Sequence, residues 1–412
     1  MSSLLIVNIK TIYGIQSEPL PLKKGAAMSV VDTLDNAYLL TEGDRISGFG
    51  PMSEVPDRAD KILDATGRLV LPSWCDSHTH IVYARGREGE YVSRLRGLSY
   101  EEIARQGGGI LNSAAVLRST PEDQLYRSAA DRLQEVISMG TGAIEIKSGY
   151  GLDTESEIKM LRVIRRLRDE SPATVRATFL GAHAVPAQYR DDRTKYISLL
   201  TDEMIPMVAG EGLAEYCDVF CDRGFFTVEE TDTILRAAAR YGLKPKIHAN
   251  ELANSGGVQV GIANNAISVD HLEMIGEEEI MALKNSDTIP TVLPSCSFFL
   301  NIHYAPARKM IDEGLGLAIA TDFNPGSSPS GNIPLLMALA CNNMRLLPSE
   351  AFNAVTINGA HAMELGQTHG SITVGKIANL IITKPLPSLD YMVYSFGSSH
   401  IDKVVLRGKL VN

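Results

Sequence analysis

The stretch RLVLPSWCDSHTH at residues 68–80 decides the fold class of this chain. It is an apolar run that ends in polar residues, and later stretches repeat this design with helical patterns between them. Continuous apolar strands that alternate with helices indicate a parallel sheet with both faces buried. In chain order the eight runs are 68–80, 142–150, 175–183, 216–221, 244–248, 266–271, 288–295 and 315–322.

Two α/β architectures compete for this pattern. Eight strand–helix units in about 300 residues fit a (β/α)8 TIM barrel. A doubly wound sheet usually carries a glycine-rich phosphate loop after its first strand, whereas the first run here ends in polar residues, DSHTH at 76–80. The sequence therefore predicts the barrel. It also predicts helices over 121–138, with Thr120 as the N-cap, and over 154–168.

Both ends of the chain are rich in strand patterns. Gly43-Asp44 lies between two of these segments and predicts a hairpin turn. We expect the two ends to meet in a small β-sandwich domain built from 1–68 and 371–412, beside a barrel domain over 69–370. The strand-like segments of the ends are 4–7, 37–40, 46–49, 372–374, 379–383 and 404–406.

Composition excludes several classes of protein. The chain has 412 residues, of which 44% are hydrophobic and 21% charged, so it is unlike a disordered protein. The formal net charge of −10 argues against general affinity for nucleic acid. No apolar run approaches the roughly 18 residues of a membrane span, and the start lacks a signal-peptide layout. We expect a cytoplasmic protein with reduced cysteines, no membrane partner and, by default, a homodimer.

The histidines at the end of the first run suggest a metal site. His78 and His80 are two residues apart, so on a strand they share a face and their imidazoles can bind one ion. His248 and Asp322 also end predicted strands, and the strand ends of a barrel meet at one rim. Three imidazoles and one carboxylate suit zinc or iron. The fourth run contains no lysine that could be carboxylated, which favours one metal ion over two; Cys217 and Cys221 are a weaker alternative pair of ligands.

Further polar residues end strands at the same predicted rim. Glu251 can join His248 only if the chain turns near Ala249-Asn250, because an extended strand would point it away. Each residue also has an ordinary interpretation, such as a helix cap, a turn or a surface charge. Lys147 is expected to pair with Glu145 or to lie under the site. The other candidates are Arg87, Tyr150, His183 and His271.

These residues resemble the amidohydrolase superfamily of metal-dependent hydrolases. The superfamily pattern is the His-Thr-His segment at 78–80, the later strand-end histidine and the final strand-end aspartate, and the tail segment at 374–380 is similar too, with Asn379 where aspartate is usual. More specifically, the chain resembles the imidazolonepropionase family. The segments that carry this second resemblance are 106–111, 145–151, 181–184, 246–251 and 320–329.

The resemblance implies a reaction and a set of roles. The reaction is hydrolysis of the cyclic amide C–N bond of 4-imidazolone-5-propanoate to N-formimidoyl-L-glutamate in L-histidine degradation, with one Zn²⁺ or Fe³⁺ ion per chain. The implied metal ligands are His78, His80, His248 and Asp322. The implied substrate contacts are Arg87, Tyr150, His183, Glu251, Asn324, Gly326 and Ser327.

The chemistry of the reaction suggests how these residues divide the work. A metal lowers the pKa of water, and Asp322 is the first candidate for its general base, with Glu251 the alternative. His271 is expected to polarise the carbonyl oxygen, and Glu251 to hold the ring N–H. Arg87 suits the propanoate of this small-molecule substrate. Backbone amides of the loop at 324–327 are expected to hold the new carboxylate of the product.

Three other functions fit parts of the sequence. A deaminase of the same superfamily would release ammonia and ignore a substrate carboxylate. A non-catalytic barrel would lack some of the ligands. A sugar-phosphate enzyme would need a phosphate loop, which Gly326-Ser327-Ser328 imitates, but it would leave His78 and His80 unexplained.

Overall fold

The structure is a computed structural model that describes residues 2–98, 102 and 108–411. Its strands in chain order are β1 (Ser3–Tyr13), β2 (Thr33–Glu42), β3 (Arg45–Pro51), β4 (Lys61–Asp64), β5 (Arg68–Pro72), β6 (Trp74–Thr79), β7 (Thr141–Lys147), β8 (Thr174–Ala182), β9 (Tyr216–Cys221), β10 (Lys244–Ala249), β11 (Ser268–His271), β12 (Ile289–Val292), β13 (Ala318–Ile319), β14 (Leu380–Pro385), β15 (Ile401–Leu406) and β16 (Lys409–Leu410).

The helices between these strands are short to medium in length. Among the described residues, none is both long and apolar enough to span a lipid bilayer. The α-helices are Glu88–Leu95, Ile110–Ser119, Glu122–Ser138, Thr154–Glu170, Arg193–Leu199, Ile205–Gly210, Val228–Arg240, Gly257–Ala263, Glu277–Lys284, Pro294–Leu300, Ala307–Asp312, Ile333–Met344, Pro348–Val355, Ile357–Ala362 and Leu389–Tyr394. Single 3-10 turns lie at Gly25–Ser29, Met52–Glu54 and Ala187–Tyr189, and a π-helical turn at Leu200–Met204.

The strands β6 to β13 form one parallel sheet in chain order, and each of the eight predicted runs contributes one strand to this sheet. The sheet closes between its first and last strands, where Asp322 N donates to His78 O at 2.9 Å. Thr321 tightens the closure, because its N and Oγ1 donate to the Asp76 carboxylate at 3.0 and 2.7 Å. The predicted (β/α)8 barrel is therefore confirmed.

The strands from the two ends of the chain form a second sheet. Its order is β16-β15-β14-β5-β1-β2-β3, and β4 pairs with β1. The hairpin between β2 and β3 turns at Gly43-Asp44, as predicted. Because β5 pairs with β1 on one side and β14 on the other, it joins the two ends of the chain. The domain boundaries proposed above stay a prediction.

Two local expectations were wrong. The run 68–80 is two strands, because β5 finds its hydrogen-bond partners in the terminal sheet and only β6 enters the barrel. Thr120 does not cap the helix Glu122–Ser138, since its Oγ1 donates back to Val116 O at 2.8 Å and the N-cap residue is Pro121. The helix that starts at Thr154 is capped as its sequence suggests, by Asp153, whose carboxylate accepts from Ser156 N at 2.8 Å.

The tryptophan of the chain lies where the two sheets meet. Trp74 is fully buried at the start of β6, and its Nε1 donates to Met139 O at 3.0 Å. The ring of Phe352 packs edge-on against it at 6.2 Å. The barrel strands beyond it carry apolar side chains on both faces, and this packing holds their carboxyl ends in fixed positions.

Candidate metal and active site

Histidine and aspartate side chains converge at the carboxyl ends of the barrel strands. His78 Nε2 and His80 Nε2, both from the end of the first barrel strand, are 3.2 Å apart. Asp322 Oδ1 lies 3.7 Å from the first of these atoms and 3.5 Å from the second. The ring of His248 is centred 4.5 Å from that of His78. These atoms are close enough to share one ion.

Hydrogen bonds fix which ring nitrogen faces the site. His78 Nδ1 donates to Asp270 Oδ2 at 2.6 Å, and His248 Nδ1 donates to Asp218 Oδ1 at 3.0 Å. The Nε2 atom of His248 is buried without a hydrogen-bond partner among the described residues. A carboxylate on the far nitrogen of a histidine is the usual support of a metal-binding imidazole. The donor set therefore fits a zinc or iron ion.

The protonation states agree with that fit. Burial lowers the pKa of His78 and of His80 well below the ordinary value, and neighbouring positive charges add to the effect. The neutral imidazole that results is the form that binds metals. Burial also raises the pKa of Asp322, although His271 and His248 oppose the shift.

Beneath these side chains lies a buried charge layer. We give this name to Glu145, Lys147, Asp218, Lys246 and Asp270, each with 0% exposure. Lys147 Nζ lies 2.6 Å from Glu145 Oε1, 2.8 Å from Asp218 Oδ2 and 3.7 Å from Asp270 Oδ2. Lys246 binds the other oxygen of Glu145. Since Asp218 and Asp270 hold two of the histidines, the layer connects those imidazoles to Lys147.

A cavity of about 690 Å³ opens above the histidines. His78 is not part of its wall, because its ring is fully buried. Every other predicted site residue lines the cavity: His80, Arg87, Tyr150, His183, His248, Glu251, His271, Asp322, Asn324, Gly326 and Ser327. The barrel thus brings together residues that are up to about 250 positions apart in the chain, at the rim where such enzymes place their sites.

The turn that Glu251 requires is present. β10 ends at Ala249, and Asn250 adopts the left-handed conformation with φ 55°, which redirects the chain. Glu251 Oε2 then lies 3.6 Å from His271 Nδ1. Burial raises the pKa of Glu251 to about 7, although His271 opposes the shift. Burial lowers the pKa of His271, but the Glu251 charge outweighs it and the net shift is well upward.

Arg87 reaches the cavity from the residue that precedes the helix Glu88–Leu95. Its Nε and Nη2 donate to Glu90 Oε2 at 2.9 and 2.7 Å, and Gly109 N donates to the other oxygen of Glu90 at 2.9 Å. The two hydrogen bonds to Glu90 orient the guanidinium. On another wall, the imidazole of His183 is stacked on that of His80, with ring centres 5.3 Å apart. Tyr150 is buried beside both rings.

The loop after the last barrel strand is held by its own asparagine. Asn324 Oδ1 accepts from Gly326 N at 2.7 Å and from Ser327 N at 2.8 Å. An internal Asx turn therefore already uses these amides, and the expectation that they hold a product carboxylate stays a prediction. The loop has another contact with the site, since Ser327 Oγ donates to Asp322 Oδ2 at 3.1 Å.

Gly326 leaves room for the arginine, and this gives a testable prediction. A Cβ atom at this position would overlap Arg87 Nη1. We expect Gly326→Ala to displace the guanidinium and to raise KM for the substrate by about 10–100-fold, since small misplacements in active sites have effects of that size. Steady-state kinetics would measure it. Gly210→Ala is the control, because a Cβ there meets nothing; equal KM values for the two variants would contradict the prediction.

The comparisons with known proteins agree with the geometry. The sequence profile of the Amidohydrolase family matches residues 69–411. The imidazolonepropionase of Christiangramia forsetii is 53% identical over 99% of this chain and 100% of its own length. The chain belongs to the imidazolonepropionase family. Other members that it matches are those of Flavobacterium johnsoniae, 52% identical over 99% of both chains, and of Geobacillus thermodenitrificans, 43% identical over 97% of this chain and 95% of its own.

Solved structures that resemble this imidazolonepropionase family member share the fold at low identity. A triazine hydrolase variant superposes with a TM-score of 0.76 at 15% identity, covering 99% of this chain and 94% of its own. A guanine deaminase from C. acetobutylicum with bound guanine superposes with a TM-score of 0.72 at 16% identity, over 100% of both chains. These likenesses support the architecture of barrel and terminal sheet.

Sequence reasoning missed some of the residues that complete the site in this family member. Asp218 and Lys246 lie inside apolar runs and face each other on the neighbouring strands β9 and β10. The available signal was the two-residue spacing from Lys246 to His248, which places both on one face of β10. Glu90 follows Arg87 by three residues, the spacing of a helical ion pair. All five cysteines are free, in agreement with the prediction of reduced thiols. The resembling segment 106–111 lies partly outside the described residues.

Proposed function

We propose that this chain hydrolyses 4-imidazolone-5-propanoate to N-formimidoyl-L-glutamate, a step of L-histidine degradation. The observation that carries the proposal is a single cavity whose wall holds His80, His248 and Asp322 together with an oriented arginine, with His78 buried next to them. A relative that is 53% identical to this chain is named imidazolonepropionase. We further propose that the protein acts in the cytoplasm as a homodimer.

The proposed metal ligands are His78, His80, His248 and Asp322, with one Zn²⁺ or Fe³⁺ ion per chain. Asp218 and Asp270 would support two of these imidazoles from behind. When bound, such an ion lowers the pKa of water from 15.7 to about 7 and so supplies hydroxide at neutral pH.

The proposed hydrolysis moves one water molecule across the amide bond. Its oxygen attacks the carbonyl carbon, and Asp322 Oδ2 accepts its proton while Ser327 Oγ keeps that carboxylate in place. His271, held in the protonated form, donates to the carbonyl oxygen as negative charge develops on it. The C–N bond then breaks, the ring nitrogen receives the proton, and the carbonyl carbon becomes the new carboxylate.

Glu251 is the proposed carrier of that proton to the ring nitrogen. Its carboxyl group lines the cavity, and its pKa of about 7 lets it both donate and accept near neutral pH. In the ground state it would accept a hydrogen bond from the ring N–H. The role of general base for water stays with Asp322, with Glu251 as the alternative.

Arg87 is the proposed anchor of the propanoate, with hydrogen bonds added by Tyr150 and His183. We expect Arg87→Ala to raise KM by about 10–100-fold, the value of one charge-assisted contact, and to lower kcat far less. Loss of the arginine would also leave Glu90 without its partner and facing the substrate carboxylate. Initial-rate kinetics would measure both constants.

Arg94 provides the matched control for this prediction. It lines the same cavity, but its guanidinium packs 4.7 Å from the ring centre of Phe299. Arg94→Ala should therefore change KM less than the Arg87 variant does. A collapse of kcat at unchanged KM in Arg87→Ala would show that the arginine acts on the reacting bond and not as an anchor.

The direct test of the proposed function is ring opening of freshly made 4-imidazolone-5-propanoate, followed by its ultraviolet absorbance, with metal content measured on the same sample. We expect turnover with about one ion per chain, and loss of turnover on chelation. An absence of turnover with the metal present would overturn the substrate. Ammonia release from a cyclic amidine would then identify a deaminase.

A further inference from the structure

A second group of metal-binding side chains lies beside the proposed metal ligands. Glu251, His271 and Cys296 each present a ligand atom, and these atoms lie within 4.8 Å of one another. The histidine and the cysteine are buried, and the glutamate side chain is only 11% exposed. Carboxylate oxygen, imidazole nitrogen and thiolate sulfur are the three ligand types that zinc takes in proteins.

The spacing around His271 is that of ligands to a common ion. Its Nδ1 lies 3.6 Å from Glu251 Oε2 and 3.7 Å from Glu273 Oε2. Both distances are too long for a hydrogen bond. Two ligands at about 2.0–2.3 Å from a tetrahedral zinc are roughly 3.3–3.7 Å apart. The two carboxylates therefore stand around the imidazole at the separation of metal ligands.

Polar atoms of the group also lack partners. His271 Nδ1 and Glu273 Oε2 are buried and make no hydrogen bond with the described residues. The other oxygen of Glu273 is used, because Ser297 Oγ donates to Oε1 at 3.1 Å, and this contact leaves Oε2 turned toward the imidazole. Buried polar atoms without partners are uncommon, and the binding of an ion is one explanation for them.

We propose that Glu251, His271 and Cys296, with Glu273 next to the imidazole, form an accessory, inhibitory site for a thiophilic divalent cation such as zinc. Glu251 and His271 line the substrate cavity, so an ion can reach the group from there. The proposed reaction needs both of these side chains free, so an ion on them stops hydrolysis. The site fills only when the cation is in excess over the first metal. This inference goes beyond the proposed function and assigns the chain a second metal site.

The two sites differ in one ligand type, which makes the proposal testable without an activity assay. The primary set holds no sulfur, whereas the accessory set holds Cys296, whose thiol loses its proton when a cation binds. Cobalt bound to a thiolate shows a strong ligand-to-metal charge-transfer absorption in the near ultraviolet, which imidazole and carboxylate ligands do not produce. The experiment is a Co²⁺ titration of the protein already loaded with one zinc ion per chain.

We expect the charge-transfer absorption to appear with the first equivalent of Co²⁺, which is the second metal ion per chain. The absorption should be absent in Cys296→Ser. Cys341→Ser is the matched control, since this thiol is not part of the group, and it should keep the absorption. Glu273→Gln, which retains the thiol, should keep the absorption but weaken Co²⁺ affinity by at least about 10–100-fold, the range for a lost supporting contact. This variant covers the case that Cys296→Ser does not fold.

Inhibition supplies the second readout. Excess Zn²⁺ should inhibit the wild-type protein, and the inhibiting concentration should rise at least about tenfold in Cys296→Ser while its activity without added zinc stays near wild type. The proposal is overturned if the second metal ion gives no thiolate absorption, or if Cys296→Ser gives the same absorption. His271 would then keep its proton between the two carboxylates even when zinc is in excess. Because the spectrum needs no substrate, failure of the proposed reaction would not be confused with failure of this site.

Discussion

Replacing Asp322 by asparagine is expected to lower kcat by about 10²–10⁴-fold, the size of a general acid–base contribution. The amide has nearly the same shape and still accepts a hydrogen bond from Ser327 Oγ, but it cannot accept a proton from water at neutral pH. Burial already raises the pKa of this carboxyl group, which makes it a better base. The fold should survive, because the backbone contact between residue 322 and His78 does not involve the side chain.

Two further variants separate the roles of the carboxyl groups. Glu251→Gln should lower kcat less than Asp322→Asn if the aspartate activates the water, and the order should reverse if Glu251 does. Ser327→Ala removes the hydrogen bond to Asp322 Oδ2 and should lower kcat less than either of these variants. Metal content has to be measured for each variant. A full complement of metal with wild-type kcat in Asp322→Asn would contradict the assigned role.

The barrel and the meeting of His78, His80, His248 and Asp322 at its rim were predictable because both depend on position within a strand. The alternation of apolar runs with helices predicts parallel strands, and polar residues at the ends of those strands must then meet at one rim. His78 and His80 share a face because strands have a period of two. These inferences need no knowledge of which side chain touches which.

The other details of the fold and the site depended on pairings between distant segments, which no local pattern reveals. The run 68–80 is continuous in sequence, but β5 is divided from β6 by the partners that the terminal sheet offers. The loop amides near Gly326 are taken by Asn324, whose side chain competes with any ligand for the same donors. The position of Glu251 required a turn near Asn250, and asparagine is one of the few residue types that adopt the left-handed conformation readily.

The buried charge layer is the feature of this site that sequence reasoning captured least. Asp218 and Asp270 are charged groups inside the barrel, and their burial is tolerated because Lys147 lies between them. Burial disfavours the charge on Lys147, but Asp218 and the other carboxylates outweigh it and raise the pKa of its amine. Burial likewise disfavours the charge on Asp218, yet His248 and Lys147 hold its pKa well below the usual range. Lys147 and Asp218 are therefore held in their charged forms.

Removing one member of the layer should have the largest effect on stability of any change considered. Lys147→Met keeps the length of the side chain but leaves two buried carboxylates without their shared cation. Breaking a buried ion pair from one side typically costs about 3–5 kcal/mol of unfolding free energy, because the remaining charge stays desolvated. Urea unfolding of the metal-depleted protein would measure the loss without a contribution from the ion.

The control is a lysine in an exposed ion pair. Lys195 Nζ lies 2.9 Å from Asp192 Oδ2 at the surface, and Lys195→Met should leave the free energy of unfolding nearly unchanged. Lys147→Met should also weaken metal affinity, because Asp218 and Asp270 would no longer be fixed behind His248 and His78. If Lys147→Met proved as stable as the Lys195 variant, the carboxylates would have to be protonated or hydrated in the folded protein. The charge layer could not then be what orients the imidazoles.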